Sequence, residues 1–131
     1  HRVLLECIVL KPSMVTPGKD NPSTATPDEV ATATLRVFRR AVPAAVPSIN
    51  FLSGGQTPQE ATANLNAMNA LFPGSPWELS FSYGRALQEP ALQAWQGNPK
   101  NSTATQQALY RRARMNGAAR NGTYTPDMET C

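Results

Sequence analysis

One helix-start signal occurs twice and does most to limit the fold. Thr26-Pro27-Asp28-Glu29 and Thr57-Pro58-Gln59-Glu60 share the pattern Thr-Pro-x-Glu. In such a segment the Thr hydroxyl caps the first turn, Pro supplies a helical φ, and Glu reaches back to the Thr amide. Apolar positions at helical spacing follow each start: Val30, Thr34, Val37, Phe38 and Ala41 after the first, Ala61, Leu65, Met68 and Phe72 after the second. Arg36, Arg39 and Arg40 fall late in the first helix, where cations suit the negative end, and Pro43 and Pro47 stop it. Each helix is preceded by a short apolar segment and a loop. Repeated strand, loop and helix predict an α/β protein with a parallel sheet covered by helices.

Three segments read as the strands. Residues 3–11, VLLECIVLK, form an apolar run that ends on Lys11 and breaks at Pro12. Alternation sets Lys11, Val9, Cys7, Leu5 and Val3 on one side of that strand, with Leu10, Ile8, Glu6 and Leu4 on the other. Residues 48–52 read as a second strand running into Ser53-Gly54-Gly55, and residues 77–83 as a third running into Gly84-Arg85. Residues 19–25 are a polar loop. Residues 86–95 read as a helix that Pro90 kinks or delays. Residues 98–101 form a loop, and residues 106–120 a last helix with Leu109 and Ala113 on one side and Gly122 as its stop.

Composition narrows the class of function. At 131 residues, 40% hydrophobic and 16% charged, the chain has the make-up of one globular domain or part of a larger one. A net charge of +3 spread along the sequence offers no continuous nucleic-acid patch. Cys7 and Cys131 supply neither a disulfide framework nor a metal-ligand spacing, and a reducing compartment is the simpler reading. No apolar run approaches the roughly twenty residues needed to span a bilayer. The expectation is therefore no metal, no nucleic acid and no membrane. A chain that opens on His1 reads as a fragment or a processed form.

In parallel α/β folds chemistry collects at the carboxyl ends of the strands. Lys11 stands after the first, Ser53-Gly54-Gly55 after the second, and Gly84-Arg85 after the third. An amine above a column of apolar side chains is disfavoured as a cation and becomes a Schiff-base nucleophile. The other reading of Lys11 is a snorkelling lysine at a strand end. Gly54 and Gly55 let the backbone approach an anion, with the Ser53 hydroxyl and the planar Arg85 cation beside them. Their plain alternatives are a simple turn and a solvated arginine. Glu6 faces away from Lys11 and reads as an ion-pair partner for a helix arginine, Cys7 as a small core residue, and Trp77 and Trp95 as core packing.

At these residues the chain closely resembles the class I fructose-1,6-bisphosphate aldolases. LLECIVLKPSMVTPG, VPSINFLSGGQ, EATANLNAMN and PWELSFSYGRALQ carry the likeness, which runs in register from His1 to about Tyr124. The resemblance implies the C-terminal portion of a TIM (β/α)8 barrel, strands six to eight with their helices, over residues 1–131. The first five strands and a C-terminal tail are then absent. It also implies Lys11 as the Schiff-base lysine, and Ser53, Gly54, Gly55, Ser82, Gly84 and Arg85 as substrate-binding positions, chiefly for the C1 phosphate.

The implied activity is metal-independent, cofactor-free cleavage of fructose 1,6-bisphosphate to dihydroxyacetone phosphate and glyceraldehyde 3-phosphate. A homotetramer is implied for the whole protein. Cytoplasm or plastid stroma is the implied location, with LKPSMVTPG and LFPGSPW leaning towards plastid forms. Cys7 and Pro90 depart from the family pattern, and the acid-base partners of Lys11 are not among these residues. A non-catalytic aldolase-like scaffold, or a Schiff-base lyase for a related sugar phosphate, are the alternative functions. The isolated piece is expected to fold poorly and to be inactive.

Overall fold

In a computed structural model, which describes residues 1–18 and 20–130, both Thr-Pro-x-Glu segments close as capping boxes. The Thr26 and Thr57 hydroxyls accept from the Glu29 and Glu60 amides at 3.3 and 3.2 Å. The two carboxylates accept from the Thr26 and Thr57 amides at 2.8 Å. Behind these caps run α1 (Pro27–Ala41) and α2 (Pro58–Leu71). The strands are β1 (Val9–Leu10), β2 (Ser48–Phe51) and β3 (Glu78–Phe81), joined in one parallel sheet in the order β1-β2-β3. Two further helices, α3 (Arg85–Trp95) and α4 (Ser102–Arg120), complete the layer, with 3-10 turns at Leu5–Cys7, Pro99–Asn101 and Pro126–Glu129.

Among the described residues, helices cover only one face of the sheet. Leu10, Ile49 and Leu79 share one register row, Phe51 and Phe81 another, and all five belong to or pack against the core cluster. The core also holds Val30, Leu35 and Phe38 of α1 and Leu65 and Met68 of α2. Phe38 stacks on Phe51 at 5.7 Å and meets Trp77 edge-on at 6.4 Å, while the Trp77 indole N–H donates to the Pro43 carbonyl at 3.0 Å. The opposite face carries Val9, Ser48, Asn50, Glu78 and Ser80, none of them buried.

Several expectations are corrected. The first strand shrinks from residues 3–11 to Val9–Leu10, and Leu5–Cys7 folds as a 3-10 turn, with Val3, Leu4 and Leu5 exposed. The ladder to β2 begins at Val9 opposite Ser48. One residue earlier the partner is Pro47, which has no amide to donate, so residues 3–7 have nothing to pair with there. Cys7 is exposed rather than in the core, and among the described residues Glu6 makes no ion pair.

On α1 the buried residues are Val30, Ala31, Thr34, Leu35 and Phe38, whereas Val37 is 46% exposed and Ala41 is exposed. On α4 the buried stripe is Arg112, Met115, Asn116 and Ala119, and Leu109 and Ala113 face outward. Trp77 is core but Trp95 is exposed. Helix α3 begins at Arg85 and runs through Pro90, so its start is not delayed. The proposed loop at 98–101 is largely the Pro99–Asn101 turn, which leads straight into α4 at Ser102. Gly122 does end α4, with φ of +68° and a Cβ position only 3.1 Å from the Ala70 amide nitrogen, so only glycine fits there. Lys19, in the expected loop at 19–25, and Cys131 lie outside the described residues.

Candidate active site

Because the strands are parallel, their carboxyl ends share one edge of the sheet, and backbone bonds tie those ends together. The Leu52 amide donates to the Pro12 carbonyl and the Ser82 amide to the Phe51 carbonyl, both at 2.9 Å. The first of these continues the β1–β2 register, placing Lys11, Asn50 and Ser80 in one row on the uncovered face. Lys11 itself is exposed. Alternation holds from Ile8 onward, since Ile8 and Leu10 pack on the core while Val9 and Lys11 do not. The expected apolar column below the lysine is reduced to Val9, which is 59% exposed, because Cys7, Leu5 and Val3 are outside the strand.

The segment after Lys11 is pinned by Met14, which is buried, and by the Val15 amide, which donates to the Thr34 hydroxyl at 2.9 Å. Its Ser13 hydroxyl oxygen would lie 3.7 Å from a Cβ on Gly54, so this segment leans on the glycine turn. Ser53 is buried, and Gly54 and Gly55 take φ of +60° and +88°, values that side-chain-bearing residues rarely adopt. Gln56 braces the turn. Its amide and side-chain nitrogens donate to the Ser53 carbonyl at 3.0 and 2.8 Å, and its side-chain oxygen accepts from Asn64 at 2.6 Å.

After β3, Ser82 is half-buried, Gly84 is the N-cap of α3 and Arg85 its exposed first residue. Among the described residues no side chain caps this helix start, and beyond the chain neighbours of Gly84 nothing stands within 4 Å of where its Cβ would be. Tyr83 fixes the segment from below. Its buried hydroxyl donates to the Ala61 carbonyl at 2.7 Å, and burial pushes its ionisation well above the ordinary tyrosine range.

A cleft of about 500 Å³ is lined by Gly55, Gln56, Arg85 and Glu89, so the glycine turn and the arginine face the same space. Lys11 does not line it. A second cleft, of about 710 Å³, borders Gly54 and Gly55 and is walled by Thr16, Asn64, Tyr124 and Glu129. Chemically, the strand-end edge offers an amine, turn amides at Gly54 and Gly55, an uncapped helix start and a guanidinium, a set suited to a phosphorylated carbonyl compound. Gln56 and Tyr83 fall within the motifs that carry the family resemblance, which assigns neither a role. A tyrosine directly before Gly-Arg, next to an alternating strand, was the available signal.

Fold and site together define an α/β protein whose polar groups gather at the carboxyl ends of parallel strands. Comparison with known proteins makes this specific. The family model described as "Glycolytic: Fructose-bisphosphate aldolase class-I" matches residues 1–131, and the chain belongs to that family. It is 56% identical over 126 residues to fructose-bisphosphate aldolase B of Sparus aurata, covering 96% of this chain and 35% of the relative. It is 55% identical over 124 residues to the cytoplasmic isozyme of Cicer arietinum, covering 95% of this chain and 34% of that protein.

Among solved structures, a fructose-bisphosphate aldolase from Plasmodium falciparum, in complex with TRAP and a small-molecule inhibitor, superposes with a TM-score of 0.91 at 48% identity. That match covers 95% of this chain and 35% of the solved one. The chain thus spans about a third of the length of the curated relatives it matches. Those relatives include both cytoplasmic and chloroplastic forms. Among the described residues no helix is long and apolar enough to cross a membrane.

Proposed function

We propose that these residues are strands six to eight, with their helices, of a TIM-barrel class I fructose-1,6-bisphosphate aldolase. The other five strands and the C-terminal tail come from chain outside residues 1–131. One observation carries the reading: Lys11, Ser53-Gly54-Gly55 and Ser82-Tyr83-Gly84-Arg85 leave adjacent parallel strands at the same edge, in the order β1-β2-β3. The bare polar face holding Lys11, Asn50 and Ser80 is then the barrel interior, where a closed sheet would desolvate the amine.

In this mechanism the neutral Lys11 amine attacks C2 of the open-chain ketose. The carbinolamine loses water to give an iminium, and the electrons of the C3–C4 bond flow into it as a base removes the C4 hydroxyl proton. Glyceraldehyde 3-phosphate leaves. The enamine is protonated at C3, and hydrolysis returns Lys11 and dihydroxyacetone phosphate. The protonated imine is itself the electron sink, so the step calls for no metal or cofactor. Ser53, Gly54, Gly55, Ser82, Gly84 and Arg85 hold the C1 phosphate through hydroxyls, amides and the guanidinium. The acid-base groups lie outside this chain, so residues 1–131 alone are inactive.

The assembled protein is read as a homotetramer of the cytoplasm or plastid stroma, acting on a sugar bisphosphate without nucleic acid or membrane. The test is borohydride reduction of the full-length protein in the presence of fructose 1,6-bisphosphate, followed by peptide mapping. A secondary-amine adduct on Lys11 is expected. Its absence, or an adduct on another lysine, would refute the assignment.

A further inference from the structure

Beneath the two substrate-facing loops lies a buried ionic cluster that the chemistry above does not use. Arg112 of α4 is 3% exposed. Its Nη1 donates to both Glu129 carboxylate oxygens at 2.6 and 2.7 Å. Its Nη2 donates to the Pro58 carbonyl at 3.0 Å and to the Thr62 hydroxyl at 2.6 Å. Thr62 in turn lies 2.6 Å from the Asn116 side-chain oxygen. The Tyr124 hydroxyl donates to Glu129 at 3.1 Å, and its ionisation is pushed up to about 12, chiefly by burial and then by the Glu129 charge. Arg112 Nε and Asn116 Nδ2 are buried with no partner among the described residues.

These contacts converge on the first turn of α2, residues 58–62, which Gln56 and Thr57 join to the Ser53–Gly55 turn. Tyr83, the residue before Gly84-Arg85, is fastened to the same turn through Ala61, and the Arg112 charge acts on it. Both proposed phosphate-holding loops therefore hang from one helical turn. That turn is gripped by Arg112, and Arg112 is neutralised by Glu129 on the Pro126–Glu129 turn.

We infer that Arg112 and Glu129 are positioning residues, which lock the first turn of α2 so that the Gly54-Gly55 amides and Arg85 converge on one phosphate. The inference rests on the functional reading above for what the phosphate belongs to. Without Glu129, a buried guanidinium that already has an unpartnered Nε loses its counter-charge, and the turn it holds must shift to rehydrate it.

The test uses the full-length protein with Glu129→Gln, Glu129→Asp and Tyr124→Phe. Affinity for inorganic phosphate by calorimetry decides this inference whether or not Lys11 is trapped by borohydride; failure of trapping alone counts only against the functional reading. Glu129→Gln should weaken phosphate binding and raise KM for the bisphosphate by roughly ten-fold, with kcat held within about two-fold. Glu129→Asp keeps the charge and should recover most of the loss. Tyr124→Phe should shift KM the same way by about two-fold, which keeps the idea testable if the glutamine variant does not fold. Unchanged phosphate affinity would overturn the inference. So would tighter binding, the sign expected if only the lost negative charge mattered, or a fall of kcat as large as the rise in KM in a variant that stays folded.

Discussion

Helices α1 and α2 start behind their own acids, whereas α3 starts at a bare glycine. In the first two, Thr and Glu satisfy the amides that a helix leaves open. Nothing in the side chains does this for α3, although it follows the same kind of strand. Helix α4 also lacks a side-chain cap, but it continues directly from the Pro99–Asn101 turn, so α3 is the one that the proposed reading leaves open for a ligand. The difference also refines the proposed phosphate site. Glu60 already occupies the start of α2, so in that reading an anion near the glycine turn is held by Gly54 and Gly55, together with the first turn of α3 and Arg85.

Giving α3 the acid its neighbours possess should erase the contrast. In the full-length protein, Gly84→Asp would set a carboxylate over the open amides, with nothing among the described residues beyond its chain neighbours within 4 Å of its Cβ. It should raise KM for the bisphosphate by at least about ten-fold while leaving melting temperature equal or higher. An unaltered KM would mean that the open end is not where the phosphate sits. The converse change, Thr26→Ala, removes a cap whose own residue lines neither cleft, although Ala25 and Pro27 beside it border the larger one. It should cost about 1 kcal/mol in denaturant unfolding with KM unmoved.

The smallest expected effect is in pH dependence. The bond from the Thr26 amide, and then that from its hydroxyl, hold the Glu29 carboxyl below its usual 4.5. Its stabilising contribution is therefore full above 4.5 and fades as pH falls through the lower folded value. Glu29→Gln should flatten that part of the acid limb in thermal melts followed below pH 4.5. An acid limb as steep as in the parent would show that the box contributes nothing through charge.

What could be read from sequence divides by the range of the interaction responsible. The Thr-Pro-x-Glu starts and the Gly122 stop are local, and α1 begins and ends as its sequence signals require. The first strand was over-read because apolar residues 3–7 need a partner ladder, and Pro47, some forty positions away, denies them one. The buried face of α4 was misread for the same reason: Arg112 and Asn116 are polar, and only Thr62, Pro58 and Glu129 make their burial tolerable. Lys11, the glycine turn and Arg85 were legible as strand-end residues. The surroundings of Lys11 were not, since one side of its strand has only Val9 beneath it.

The Arg112–Glu129 clamp also bears on the order in which the molecule can be made. Glu129 is translated after every residue it secures, so a nascent chain on the ribosome carries Arg112 without a counter-ion until the Pro126–Glu129 turn has cleared the exit tunnel. Until then, docking α4 against α2 would bury an uncompensated cation. Final consolidation of that helix pair, and with it the loops it anchors, is thus deferred until Glu129 has emerged, and ribosome-bound intermediates should remain loosely packed at this edge until then.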